Sequence, residues 1–180
     1  MEFTSTPFDG LWVIQPNVLQ DQRGYFFESY NRVQFDRQLP PVNFLQDNQS
    51  LSGKNILRGL HFQDPPHAQV KLVRVIKGSV MDVVVDIRKK SSTYGGHFKI
   101  ELSEKNKTML WIPEGFAHGF ISKEEDTVLL YKCSNTFNKA SERCLIWNDQ
   151  DLKIDWGNGH PIISEKDNQG AHFKTFTSLF

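Results

Sequence analysis

Residues 70–88, VKLVRVIKGSVMDVVVDIR, decide the fold class. β-Branched residues crowd both arms, and Lys77, Gly78 and Ser79 between them have the composition of a turn, so the stretch reads as a β-hairpin. Alternation places Lys71, Val73 and Val75 on one face of the first arm and Leu72, Arg74 and Ile76 on the other. The valines mark the inward face, which turns Lys71 inward as well. An ammonium there needs a task or a partner, unless its head snorkels to water at the strand end.

The same rhythm extends along the chain. LWVIQP (11–16), RGYFFESY (23–30), VNFLQDN (42–48), GGHFKIEL (95–102), MLWIPEGFAHGFIS (109–122), TVLLYKCSN (127–135) and RCLIWND (143–149) are short β-branched and aromatic runs separated by Gly, Pro, Asn and Asp. That pattern predicts an all-β sandwich or barrel whose inward residues could enclose one small ligand. Helical periodicity is confined to NRVQFDRQL (31–39), where Val33, Phe35 and Leu39 are expected to form one face, and to the C-terminal region.

Size and charge narrow the function. A chain of 180 residues can bury a sufficient core as one domain, here taken as 1–180. Its 21 basic and 21 acidic side chains cancel, which argues against nucleic acid or an anionic membrane as a partner and requires any anionic ligand to meet a local basic cluster. Cys133 and Cys144 lack CxxC or zinc-like spacing and read as buried packing residues. With no leader and no apolar run near the roughly 18 residues of a membrane span, the expected setting is soluble, reducing and cytoplasmic.

RGLHFQ (58–63) raises a chemical question, because His61 lies between two apolar strand residues with Arg58, Lys71 and Arg74 near in sequence. It is an inert filler, a metal ligand or a proton-transfer base. PEGFAHGF (113–120) sets His118 after a Pro-x-Gly-x-x-His turn that resembles the second conserved motif of the cupin superfamily. In metal-binding cupins that histidine completes a site begun by an HxH pair and a glutamate. The upstream segment here reads His61-Phe62-Gln63, and two histidines fall short of the three or four ligands a transition metal usually takes. No metal is expected. His67, His97, His160 and His172 lie in polar or loop contexts and read as solvated. As a base, His61 would need an orienting acid, for which Asp167 in SEKDN is a candidate, and a proton donor, for which Tyr131 in LLYKC is one. Lys71 could stabilise charge developing on a carbonyl oxygen. Each also has an ordinary reading, as strand packing for Tyr131 and a solvated charge for Asp167, and composition alone does not choose.

DQRGYFFESYN (21–31), QDNQSLSGKNILRGLHFQ (46–63), QVKLVRVIKGSVMDVVVDIRKKSSTYG (69–95), LWIPEGFAHGF (110–120), YKCSN (131–135), ERCLIWND (142–149) and SEKD (164–167), in that order, resemble the dTDP-4-dehydrorhamnose 3,5-epimerase family. The resemblance implies an all-β, cupin-type double-stranded β-helix (a jelly-roll barrel) with a few short helices. It also implies inversion of C3 and C5 of dTDP-4-keto-6-deoxy-D-glucose, both alpha to the C4 ketone, to give dTDP-4-keto-L-rhamnose without a cofactor. By matching motifs, His61 would be the base in a dyad with Asp167, Lys71 would polarise the C4 carbonyl, and Tyr131 would return a proton from the other side.

Arg58 and His118 would face the sugar, with Glu142 and Lys166 as further substrate contacts. Arg23 would reach the diphosphate across a subunit interface, with Phe26 and Glu28 near the base, and Gln46 and Asn48 would contact the nucleotide. The implied assembly is a homodimer whose N-terminal strands extend the partner's sheet, and the implied pathway is dTDP-L-rhamnose synthesis for cell-surface polysaccharide. One departure stands out: Phe137 occupies a position where the family usually has a tyrosine, and Lys139 replaces a common proline. Losing the hydroxyl either makes this chain a 3- or 5-monoepimerase, or a ketoisomerase, of a related dTDP-deoxysugar pathway or leaves the pocket wall unchanged; a metal-dependent cupin and a non-catalytic sugar-binding module are the remaining alternatives.

Overall fold

Gly78 does not close a hairpin. In the computed structural model, which describes residues 1–157 and 160–180, it carries the chain from one sheet to another. The elements run β1 (Glu2–Ser5), β2 (Trp12–Gln15), β3 (Leu19–Asp21), β4 (Gly24–Phe26), α1 (Arg32–Gln38), β5 (Gln46–Ser52), β6 (Ile56–Gln63) and β7 (Lys71–Lys77). They continue with β8 (Ser79–Asp86), β9 (His97–Ser103), β10 (Met109–Ile112), β11 (Phe116–Ser122), β12 (Thr127–Cys133), β13 (Glu142–Cys144), β14 (Ile162–Ile163) and α2 (Glu165–Asn168). One sheet has the order β1-β2-β10-β7-β12-β5 and the other β13-β6-β11-β8-β9, with β14 parallel to β6. Strands β3 and β4 form a separate ribbon. This is a sandwich, as the strand rhythm predicts, in the jelly-roll form that the resemblance implies.

The physical reason for the missing hairpin lies in burial. Val80 and Val84 face the core between the sheets, with Val73 and Val75 of β7. Val83 and Val85 face a second core, where Leu145, Leu152 and Trp156 cover the outer side of β6, β8 and β11. A strand buried on both faces belongs mid-sheet between two partners, and β8 has β9 and β11. At φ +76, Gly78 makes the corner, and a Cβ there would stand 2.5 Å from Thr127 Oγ1.

Helix α1 seals the outer face of the first sheet. Asn31 caps it by accepting from the Gln34 N–H at 3.3 Å, and Phe35 and Leu39 are buried with Leu72, Met109 and Trp111. Removing a phenyl ring such as that of Phe35 from water contributes about 2–3 kcal/mol. Val33, expected on this face, is 62% exposed. Two positions along a helix are about 200° apart, so Val33 and Phe35 cannot share a face.

A second local feature builds the site. His118 pairs with His61 and Phe120 with Arg58, so β6 carries one residue more than β11 across this interval. Plain alternation would send Arg58 and His61 to opposite faces; the extra residue brings both to the same one. The bulge depends on two glycines. Gly59 has φ +132, and a Cβ on it would lie 2.5 Å from Gly119 Cα and 2.9 Å from His118 O, while one on Gly119 would meet Arg58 O at 2.8 Å. Gly59→Ala is therefore expected to cost about 3 kcal/mol or more, combining backbone strain with a backbone clash. Urea denaturation checks this, and an unchanged midpoint would show that the strands can part.

Candidate active site

Between the sheets lies a cavity of about 620 Å³, large enough for a small organic ligand. Eleven of the residues singled out from sequence line it: Gln46, Asn48, Arg58, His61, Lys71, His118, Tyr131, Phe137, Glu142, Lys166 and Asp167. They come from both sheets and from segments far apart in sequence. Arg23, Phe26 and Glu28 are not among them. The Arg23 side chain is 86% exposed and paired with Asp21 at 2.6 Å, Phe26 projects from the β3–β4 ribbon, and Glu28 accepts from Asn31 Nδ2 and Gln34 Nε2 beside α1.

His61 sits on β6 with its Nε2 2.7 Å from Asp167 Oδ1. Asp167 is held from two sides: its own N–H donates to the Ser164 hydroxyl that caps α2, and its Oδ2 accepts from the Gly59 N–H at 3.1 Å. Burial acts to raise the Asp167 carboxyl, but the bonds from His61 and Gly59, with Ser164, outweigh it and hold the group below the ordinary carboxylate range. An ionised Asp167 fixes the proton of neutral His61 on Nε2, which leaves Nδ1 as the basic nitrogen. The stabilisation this pairing gives is present above the unfolded carboxylate value and is lost as pH falls through the depressed one.

Lys71 is buried as its alternation foretold, with Nζ 3.5 Å from His61 O. Burial pushes its ammonium down, and the nearby Cys133, Asp82 and Glu142 oppose that shift. Tyr131, on the neighbouring strand β12, is shifted up, first by burial and then by Cys133, so its phenol keeps its proton through neutral pH. Lys71 and Tyr131 belong to one sheet and His61 to the other. His61 and Tyr131 thus stand on opposite walls of one cavity.

In the sheet that carries His61, Asp82 of β8 anchors a second histidine, a role its place in an apolar run conceals. His118 Nε2 lies 2.9 Å from Asp82 Oδ2, and Asp82 is wholly inaccessible to solvent. Since His118 pairs directly with His61, two histidine–carboxylate dyads sit side by side. The signal was available: an aspartate within VMDVVVD at the centre of a buried strand needs a partner. The second aspartate of that run, Asp86, has a different task. It accepts from Arg88, Ser91 and Thr93, which overcome the effect of burial and lower its pKa to about 2, and so pins the turn that follows β8.

His67 and His97 depart from their solvated reading, since both are half-buried. The His67 ring contacts Ser141 Oγ at 2.9 Å and Asn138 Nδ2 at 3.3 Å, because the loop after β12 folds over it. His97 is pushed down, first by burial and then by Lys99. Cys133 is buried, as expected of a packing residue, whereas Cys144 is half-buried on the neighbouring strand, paired with His61.

Among the described residues, the trio placed closely enough to be tested as metal ligands is His61, Cys144 and Asp167. Its chemistry fits a hydrogen-bonded dyad better. His61 and Asp167 are at hydrogen-bond distance from each other, and burial with the adjacent Asp167 charge pushes the Cys144 thiol up to about 12, far from the thiolate a metal binds. No helix among the described residues is long and apolar enough to cross a membrane.

Comparison with known proteins agrees with this geometry. The family model described as dTDP-4-dehydrorhamnose 3,5-epimerase matches residues 5–175. The chain is 48% identical over 164 residues to the dTDP-4-dehydrorhamnose 3,5-epimerase of Salmonella typhimurium, covering 90% of each chain. Among solved structures it is similar to the dTDP-4-dehydrorhamnose 3,5-epimerase of Elizabethkingia anophelis, with TM-score 0.93, 45% identity and 97% of each chain covered. It is also similar to the dTDP-6-deoxy-D-glucose-3,5-epimerase of Legionella pneumophila in complex with dTDP-4-keto-L-rhamnose, with TM-score 0.94, 38% identity, and 98% of this chain and 94% of that one covered. Likeness over nearly the whole length, joined to a cavity holding the expected base, acid and lysine, establishes that this chain belongs to the dTDP-4-dehydrorhamnose 3,5-epimerase family.

Proposed function

We propose that the chain is a cofactor-independent, single-domain epimerase that takes dTDP-4-keto-6-deoxy-D-glucose to dTDP-4-keto-L-rhamnose. The observation that carries this reading is the placement of His61 and Tyr131 on opposite walls of the cavity, with Lys71 beside them. A proton alpha to a ketone can be removed when the enolate is stabilised, so His61 Nδ1 takes it while the Lys71 ammonium bears on the C4 oxygen. Tyr131 then delivers a proton to the other face of the same carbon, which inverts it. Each inversion moves one proton from carbon to His61 and one from Tyr131 to carbon, and exchange with solvent resets both groups. Two such cycles, at C3 and at C5, leave the oxidation state unchanged.

Arg58, His118, Glu142 and Lys166 hold the sugar end, and Gln46 and Asn48 the nucleotide. The active form is a homodimer in which Arg23, Phe26 and Glu28 serve the partner's site. That assignment accounts for a guanidinium that is 86% exposed on a projecting ribbon, since a diphosphate suits its fork. The setting is the cytoplasm and the pathway supplies cell-surface polysaccharide.

Phe137 supports a second reading. It keeps an aromatic ring at the cavity but offers no hydroxyl, and a monoepimerase would invert one carbon only. The test is the configuration of the product formed from dTDP-4-keto-6-deoxy-D-glucose, read by NMR. Inversion at both carbons is expected; inversion at one would select the monoepimerase, and none would remove the epimerase reading.

A further inference from the structure

We propose that His67 is a positioning residue for the substrate: as one neutral tautomer it clamps the loop of residues 134–141 and so sets where Phe137 stands at the cavity. This rests on the reading of the cavity as a nucleotide-sugar site, with Phe137 touching the substrate.

The Phe137 ring lines the cavity yet the residue is 55% exposed. Packing alone therefore does not fix it, and its place comes from the backbone that carries it. That backbone hangs on side chains outside the loop. The Phe137 N–H donates to Gln46 Oε1 at 2.9 Å and the Asn138 N–H to Gln63 Oε1 at 2.7 Å. Gln63 Nε2 in turn donates to Thr136 O at 3.2 Å and to His67 O at 2.7 Å. Gln63 is buried and lies two residues beyond His61 on the same strand, so the loop is referenced directly to the strand that holds the base.

The His67 ring closes the clamp, and the geometry assigns its protonation. Asn138 Oδ1 accepts from the N–H groups of Ala140 at 3.0 Å and Ser141 at 3.1 Å, so the nitrogen end of that amide is the one facing His67 Nε2, 3.3 Å away. An amide nitrogen only donates, hence Nε2 presents its lone pair. The hydrogen then belongs on Nδ1, which donates to Ser141 Oγ at 2.9 Å. A single neutral ring thereby joins positions 138 and 141, the two ends of the turn that follows Phe137. Without it, the Asn138 amide and the Ser141 hydroxyl lose a shared anchor while the base, lysine and tyrosine stay in place.

The expected signature is weaker substrate binding with unaltered chemistry. In steady-state assays with dTDP-4-keto-6-deoxy-D-glucose, His67→Ala should raise KM about tenfold with kcat held within about twofold. His67→Gln, which retains a donor and an acceptor, should restore most of the loss. If His67 acts through the loop, adding His67→Ala to Phe137→Ala should raise KM by less than about twofold beyond Phe137→Ala alone. Ser141→Ala removes one partner of the ring at little risk to folding and should raise KM about threefold, which keeps the test decisive should His67→Ala fail to fold. An unchanged KM in these variants, a loss confined to kcat, or effects that multiply in full on the Phe137→Ala background would overturn the proposal. Turnover by the unaltered protein separates the two failures: if it turns over and these variants behave like it, only the clamp falls, whereas no turnover removes the functional reading on which the clamp rests.

Discussion

His61→Ala is expected to lower solvent exchange at both C3 and C5 by about a thousandfold, within the range a positioned general base supplies. Free dTDP should bind within about twofold of normal, because the groups proposed to meet the nucleotide lie on β5, on the β3–β4 ribbon and beside α1, away from His61 on β6. The variant should fold. Asp167 loses its bond from His61 Nε2 but keeps those from the Gly59 N–H and around the Ser164 cap, so the stability cost is about 1–3 kcal/mol. Exchange near the normal rate would show that another group removes the proton, and His118 with its Asp82 partner would be the first to examine.

Lys71→Met is expected to separate activity from stability. Loss of the ammonium proposed to bear on the C4 oxygen should lower kcat by about a hundredfold to a thousandfold. Thermal stability should stay level or rise, because methionine fills much of the same volume and removes a charge that burial disfavours. The sign with pH follows from the lowered pKa. Between the depressed folded value and the higher unfolded one, the unfolded chain binds more protons, so stability rises with pH across that window and the cost of the buried charge fades. The difference in stability between Lys71→Met and the unaltered protein should therefore shrink as pH rises through the depressed pKa. Paired thermal melts across alkaline pH measure it, and a Lys71→Met protein markedly less stable at neutral pH would mean that the lysine is held by stronger partners than its 3.5 Å contact to His61 O.

Much of this was legible from residues alone. Strand rhythm gave the sandwich, and alternation on VKLVRV turned Lys71 inward, because a strand's side-chain period is fixed by the backbone. Pairing between strands is not written in that period. Residues 70–88 look like a hairpin until the burial of both faces of β8 requires neighbours from elsewhere in the chain. The bulge at Gly59 was equally hidden, since the extra residue is defined only against β11. It is also what puts Arg58 and His61 on one wall.

The apolar run around Asp82 conceals it, although an acid there is the clearest available sign of a buried partner such as His118. The solvated reading of His67 failed for a related reason: Pro65 and Pro66 mark a loop, but not the second loop that folds onto it. Arg23, Phe26 and Glu28 were tied to the substrate through the resemblance, and the geometry of one chain leaves them outside the cavity it builds.

The most direct measurement of the central claim is hydrogen exchange during turnover. Metal-stripped protein is incubated with dTDP-4-keto-6-deoxy-D-glucose in deuterated water, and label at C3 and C5 is followed by NMR. Deuterium entering at both carbons with inversion, and its disappearance in His61→Ala, is the result expected of a cofactor-free base working against an acid on the opposite wall. Full exchange in His61→Ala, or no exchange at either carbon in the unaltered protein, would contradict it.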